Sequence, residues 1–355
     1  MQELLGRLTA LDPAASHSLR VIACFDELIA GDVGVRGLLA AGAALAGRPV
    51  GLRRGAVVTR IDRRGEPLPT AGVPPETHSV IDDTDVWVDD TSAATAALDA
   101  IILERLALAL MIRLDRRRSA SVPPRDLTVV LDSSVPLEDR QLAAIRLGLV
   151  SNASYRVVVA PLTATWSHHP RGPEDVVSTS VGPVHAAVVD LAAEPAATPM
   201  GIGIATGVDD LARSFRTGLI ALRLFDEVSG QPSRADEFGG LAELLADLPE
   251  DRSGGGDQAG IELVTLHVWG PSTLDALVRA GSVREAARLT NVHHSTMTDR
   301  VDIVAQTLGF DPLSGIGRTR LGLAYLRWRV RTSRVLEFQP PMTARGNPTN
   351  GGPQR

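Results

Sequence analysis

The sequence predicts a multidomain chain in which two mixed α/β units precede an all-α unit. Three observations predict it. Short apolar blocks of strand type are interleaved with helically spaced apolar residues up to about position 250, and beyond 263 only the helical spacing continues. A length of 355 residues suits two or three domains, each able to bury a core. Charge divides the chain near the same place: residues 119–262 hold 10 Arg against 20 acids, whereas 263–336 hold 10 Arg against 5.

With 44% apolar and 22% charged residues the chain is of globular type, and a net charge of −6 argues against a general nucleic-acid coat. Any nucleic-acid binding must therefore be local. All 36 basic residues are Arg, which with the abundance of Ala reads as a genome bias and resembles actinobacterial proteins. The single Cys24 excludes an internal disulfide, and its apolar helical surroundings predict a buried, inert thiol. No signal peptide is read at the start, and the longest apolar run, 101–112, is broken by Glu104-Arg105 and too short for a membrane span. A cytoplasmic protein without a membrane partner is expected.

The first unit covers 1–118. A leading helix over 1–15 precedes helices at 19–30 and 33–46, the second ended by Gly47-Arg-Pro, and short strands follow at 50–53, 56–61, 78–81 and 86–88. The acids Asp82-Asp83, Asp85 and Asp89-Asp90 lack the spacing, turn glycine and bidentate acid of a calcium loop and read as solvated turns. A long helix over 92–118 ends in Arg113–Arg118, where cations complement the helix dipole; its apolar seam is expected to connect domains or to pair with a copy of itself.

The linker 119–124 opens the second unit, 119–250. Strands are predicted at 127–131, 155–160 and 200–205, helices at 137–149 and 207–228, and a hairpin of 176–180 with 185–191 around Gly182-Pro183. Gly201-x-Gly203 with Gly207 is out of register with both nucleotide-loop fingerprints, so packing glycines are favoured. No G-x-S-x-G elbow occurs, and adjacent His168-His169 on a loop read as exposed polar residues rather than metal ligands. Neither a catalytic residue, nor a metal site, nor a cofactor is assigned, and no enzyme activity is expected.

Residues 251–262 form a flexible Gly-rich linker, after which 263–336 is all-α and 337–355 a polar, disordered tail. Ser282 and Glu285 make a capping box that starts a helix at Val283, and Thr290-Asn291-Val292 ends it. From His294 the apolar Met297, Val301, Val304 and Leu308 recur at helical spacing until Gly309 stops the run before Asp311-Pro312. A short helix, a tight turn and a second helix of this kind are a helix-turn-helix, and the second helix leaves Ser295, Thr298, Asp299 and Arg300 on its free face, with Thr296 at the entry. The spacing alone fits an ordinary helical hairpin equally well; the local excess of Arg is what favours DNA.

Ser282-Val-Arg-Glu-Ala-Ala-Arg-Leu, Val292-His293-His294-Ser295-Thr296, Arg300, Leu308-Gly309-Phe310 and the closing run from Arg318 to Arg327 resemble the C-terminal helix-turn-helix of the PucR/CdaR family of bacterial transcriptional regulators over about 70 residues. His293, Thr296 and Arg300 fit the family pattern V-H-R-N-T-L-x-Y-R-L. His294, Ser295, Thr298 and Asp299 depart from it toward a less basic face. The run from Gly201 to Leu224 resembles the end of the family's degenerate GGDEF-like middle domain, and the start of the chain resembles a GAF- or PAS-like sensor module. Asp236-Glu-Phe-Gly-Gly, by contrast, reverses the order of a cyclase signature.

The resemblance implies a DNA-binding regulator, a homodimer or higher homo-oligomer on double-stranded DNA that responds to an unidentified small-molecule effector. Its expected DNA-binding residues are His293, His294, Ser295, Thr296, Thr298, Asp299 and Arg300. Thr296 and Ser295 would bond phosphate or base edges, Arg300 would reach phosphate, and Asp299 is either a cytosine acceptor or the mark of an impaired face. Two alternatives stand beside this: a degenerate member that acts through protein contacts, and a nucleotide-processing enzyme in the middle domain.

Overall fold

A computed structural model describes residues 13–69, 78–81, 84–89, 95–117, 126–227, 229–249 and 255–337. Most of the expected leading helix, the linker 119–124 and the tail beyond 337 lie outside these residues. Mixed helices and sheets followed by a helical bundle agree with the fold class expected.

The first unit begins with α1 (Pro13–Ala30) and α2 (Val35–Ala46), which ends on Gly47 at φ 66 as its sequence predicts. Next come β1 (Val50–Arg54), β2 (Val57–Ile61), β3 (Pro67–Leu68), β4 (His78–Ile81), β5 (Thr84–Val88) and α3 (Ala96–Arg117). The five strands form one antiparallel sheet in the order β3-β2-β1-β5-β4. Val21, Phe25 and Leu28 of α1, Leu38 and Leu39 of α2 and Ile102, Leu106 and Leu110 of α3 close over its inner residues Val50, Leu52, Val86 and Val88. The seam of α3, expected to meet another domain or a copy of itself, is thus already filled by α1 and α2. Two of the acids expected in solvated turns are instead tied to the sheet: Asp85 pairs with Arg53, and Asp89 pairs with Arg60 and accepts from Trp87 Nε1 at 2.9 Å. Asp82, Asp83 and Asp90 lie outside the described residues.

In the second unit α4 (Asp126–Leu131) and α5 (Leu137–Arg146) precede the strands. Residues 127–131 were expected as a strand and are a helix. Leu127, Val130 and Leu131 bury one helical face, and buried Asp126 accepts from Arg146 Nη2 at 2.6 Å, so tertiary contacts override the β-branched composition. The strands are β6 (Ser154–Pro161), β7 (Thr165–His168), β8 (Glu174–Val177), β9 (Val184–Asp190), β10 (Ala196–Thr198), β11 (Gly201–Ile202) and β12 (Thr206–Gly207). After them come α6 (Leu211–Arg223), β13 (Ser233–Arg234), α7 (Ala235–Phe238) and α8 (Gly240–Asp247). The main sheet runs β13-β11-β6-β9-β8, antiparallel except between β11 and β13, while β7 and β10 make a separate pair.

The expected hairpin is present as β8 and β9, two residues earlier on its first arm. Gly201 and Gly203 are packing glycines. A Cβ at Gly201 would stand 2.3 Å from Gly218 O, and one at Gly203 1.9 Å from Ser214 O, so only glycine lets α6 lie this close to the strand. The reversed cyclase signature falls on α7 and the turn after it, and Asp236 pairs with Arg156 at 2.7 Å.

The third unit is a bundle of α9 (Gly256–Thr265), α10 (Gly270–Arg279), α11 (Val283–Leu289), α12 (His294–Leu308) and α13 (Gly315–Thr332) around Ile261, Leu274, Leu277, Met297, Val304 and Leu321. Residues 256–262, expected within a flexible linker, are helical: Gln258, Ile261 and Val264 supply a buried face that outweighs the glycines. Nor does the bundle hang free. Leu326 and Val330 of α13 pack on Ile220 of α6, Leu224 just after it and Leu245 of α8, while Arg329 Nη2 donates to Leu224 O at 2.9 Å and Arg223 Nε to Val330 O at 3.0 Å.

Two outcomes follow. Cys24 is enclosed between helices and its thiol is pushed up to about 12 by burial first and nearby Glu27 second, so iodoacetamide at pH 8 should label it only after unfolding. Labelling of native protein at the denatured rate would mean that the face between α1 and α3 opens. Leu326→Ala with Val330→Ala should raise hydrogen exchange at the C-terminal end of α6 as well as in α13; a rise confined to α13 would show that the two units are not joined there.

Candidate nucleic-acid interface

α11 starts where its capping box predicts. Ser282 Oγ accepts from Glu285 N at 3.2 Å, and Glu285 reaches back one residue further than expected, its Oε2 accepting from Gly281 N at 2.9 Å. The turn is made by Asn291 at φ 53, a left-handed conformation that Asn tolerates better than most residues. His293 then caps α12, its Nδ1 accepting from Ser295 N at 3.3 Å and lying 2.8 Å from Ser295 Oγ. Gly309, at φ 73, closes α12. Ala286 and Ala287 of α11 and Met297, Val301 and Val304 of α12 are buried against each other and the bundle, which fixes the two helices as one unit.

Most of the expected contact residues fall on the open side. His293, His294, Ser295, Thr296, Thr298 and Asp299 are exposed at the start of α12. Their donors are partly used: Thr298 Oγ1 donates to His294 O at 3.0 Å. Arg300 is the exception. Its side chain is half-buried, its guanidinium lies 5.3 Å from the centre of the Trp269 ring, and Nη1 donates to Thr273 Oγ1 at 3.3 Å, so it is drawn toward α10 rather than extended to a phosphate. Among the described residues no exposed Arg remains on α12, and Asp299 and Asp302 are both exposed there.

The arginines of the last helix are likewise engaged within the chain. Arg318 donates to Ala280 O at 3.1 Å, Arg320 grips Asp257 through two hydrogen bonds of 3.0 and 2.6 Å above the Phe310 ring, and Arg331 pairs with Glu262 at 3.3 Å. The Arg320 contact holds the Asp257 carboxyl below its usual range. Exposed pairs of this kind add little to stability. Their consequence is directional: they aim these guanidinium groups at acids and carbonyls of the bundle itself.

Two cations that motif reading passed over stand free instead. Arg284 and Arg288 are exposed on α11 and make no hydrogen bond or ion pair among the described residues. Their signal was present in the sequence. They are four residues apart, one turn of α11, and point away from buried Ala286.

Neither a family model nor a curated protein matches the chain. Among solved structures, the crystal structure of a regulator of polyketide synthase expression from Bifidobacterium adolescentis aligns with 58% of this chain and 97% of that chain at 17% identity and a TM-score of 0.25. Likeness at that level does not establish a shared fold.

Ser282→Ala should cost the bundle about 1 kcal/mol, the usual worth of a helix cap, seen as a lower urea midpoint. Arg300→Ala should lower the melting temperature of the bundle, because it strips a contact from Trp269, whereas Arg284→Ala should leave it unchanged. Equal melting of all three variants and the parent protein would contradict the inward placement of Arg300.

Proposed function

We propose that the chain is a DNA-binding transcriptional regulator that works as a homodimer, with α11 and α12 as its DNA-reading unit. The observation that carries this reading is the joint placement of an exposed polar helix start, His294 to Asp299, beside two partner-free cations, Arg284 and Arg288. In this reading Arg284 and Arg288 neutralise phosphates and fix the register, His293 supports the entry to α12, and Ser295, Thr296, Thr298 and Asp299 face the groove, Asp299 as an acceptor for a cytosine amine. A single unit of this size reads few base pairs. Useful affinity would come from two copies on a two-fold-symmetric site. A small-molecule effector would act through the contact of α13 with α6, because that packing couples the bundle to the rest of the chain.

A second reading is favoured by one specific observation. The open side of α12 carries exposed Asp299 and Asp302, and Ile303 and Leu289 are 40% and 57% exposed on the same unit, a surface as suited to a protein partner as to phosphates.

The test is capture of genomic fragments by the full chain at low and physiological salt. Enrichment of a symmetric sequence is expected, with Arg284→Ala/Arg288→Ala weakening binding to all sequences and lowering the salt slope by about 2, roughly 1 per lost phosphate contact. Absence of enrichment at either salt by folded protein would overturn the DNA reading and favour the protein-contact one.

A further inference from the structure

The β8–β9 register sets up a cluster that the functional reading above does not use. Glu174 lies opposite Ala187 and Val176 opposite His185, so Glu174 and His185 are diagonal neighbours on one face of the sheet. His169, on the loop between β7 and β8, reaches the same point. His168 beside it is exposed as expected from the sequence, but His169 is turned inward, stacked on Trp166 at 5.1 Å with an 18° interplanar angle. His169 Nδ1 and His185 Nε2 stand 2.9 and 3.0 Å from the same oxygen, Glu174 Oε2.

Protons alone leave this junction incomplete. His169 Nε2 is 3.1 Å from Glu27 Oε2 and Nδ1 2.9 Å from Glu174 Oε2, so a neutral ring donates to only one of the two carboxylates and turns a lone pair toward the other. A doubly protonated His169 would relieve that pair of acceptors, but it does nothing for His185. The His185 side chain is 2% exposed, and its Nε2, although close to Glu174, lies off a hydrogen-bond direction and has no hydrogen-bond partner. Leaving such a buried group unpaired is unfavourable. A cation bound by both imidazoles and the carboxylate would satisfy all three.

We infer that His169, His185 and Glu174 form a binding site for a divalent cation of the zinc type, with Glu27 as the carboxylate that orients His169. Two imidazole nitrogens and a carboxylate are the donor set borderline cations take, and bonds of about 2.0–2.2 Å to a tetrahedral ion put its ligands about 3.3 Å apart, close to the spacing present. The donor atoms already lie within 4.8 Å of one another. Orientation is fixed beforehand: Trp166 holds the His169 ring, and the Trp166 backbone N–H donates to Glu27 Oε1 at 3.4 Å. Gly31 lies against the same point, where a Cβ would come within 3.0 Å of both Glu174 Oε2 and His169 Nδ1 and crowd the ligands. Because Glu27 and Gly31 belong to the first unit and the three ligands to the second, the ion would tie the two units together. This inference is independent of the DNA reading.

The full chain, stripped of metal with a chelator, is titrated with Zn²⁺ against a chromophoric competitor, and Co²⁺ is used for the ligand-field spectrum. One equivalent with a tetrahedral Co²⁺ spectrum is expected. His185→Gln and Glu174→Gln should each weaken uptake at least about 100-fold, Glu27→Gln by about 10–100-fold, and His168→Ala should leave it unchanged. If His185→Gln fails to fold, Glu174→Gln and Glu27→Gln carry the comparison. No uptake by the parent chain, or uptake lost with His168 and kept without Glu174, overturns the site, whatever the outcome with DNA.

Discussion

The double-sided burial of β6 and β9 is the constraint on which the rest of the molecule depends. Val157 and Val159 of β6 and Ala186 and Val188 of β9 face the core with α4, α5 and α6, while Val158, Ala160, Ala187 and Val189 face Trp166, Ala197 and Met200. A strand buried on both faces cannot slip by one residue without sending each apolar set into the core shaped for the other, and such overpacking costs about 1–3 kcal/mol. The register of β8 on β9 is held in this way, and that register puts Glu174 diagonal to His185. The His-Glu cluster is therefore a by-product of the same packing that fixes the sheet.

From this centre the two outer units are attached by different chemistry. Toward the N-terminus the junction mixes apolar and polar contact: Val176 and Leu162 join the core of the first unit, while Asp175 accepts from Gly34 N at 3.0 Å and is so enclosed that burial raises its carboxyl above the usual range. Toward the C-terminus the contact is chiefly apolar, Leu326 and Val330 on α6, reinforced by guanidinium groups capping carbonyls at the helix end. Most arginines of the third unit are engaged with acids and carbonyls of the chain itself, whereas Arg284 and Arg288 of α11 are exposed and unpaired among the described residues.

Much of the fold and part of the candidate site were legible in the sequence. The capping box at Ser282, the polar break at Thr290-Asn291, the apolar spacing from Met297 to Leu308 and the stop at Gly309 are local signals, set by hydrogen bonds and side chains within a few residues, and each appears where it was read. Cys24 is buried and Gly201 and Gly203 pack, as their apolar and glycine contexts indicated. Readings failed where a distant partner decided the outcome. The β-branched run 127–131 is a helix because Arg146 and the sheet wait for it, and the glycines at 255, 256 and 260 do not prevent α9 because Ile261 and Val264 have a core to enter.

By itself, then, the sequence determined the mixed fold class and the two capped helices from Val283 to Leu308 with the turn between them, since periodicity and capping act over one or two turns of chain. Only the tertiary structure decided which charged groups are free to act. Arg300 was read as a phosphate contact and is half-buried beside Trp269, Arg284 and Arg288 were passed over and stand open, and His169 was read as exposed and faces Glu174. The physical reason is common to all three. A long or polar side chain takes its direction from partners brought near by folding, and the separation of those partners along the chain leaves no periodic trace in the sequence.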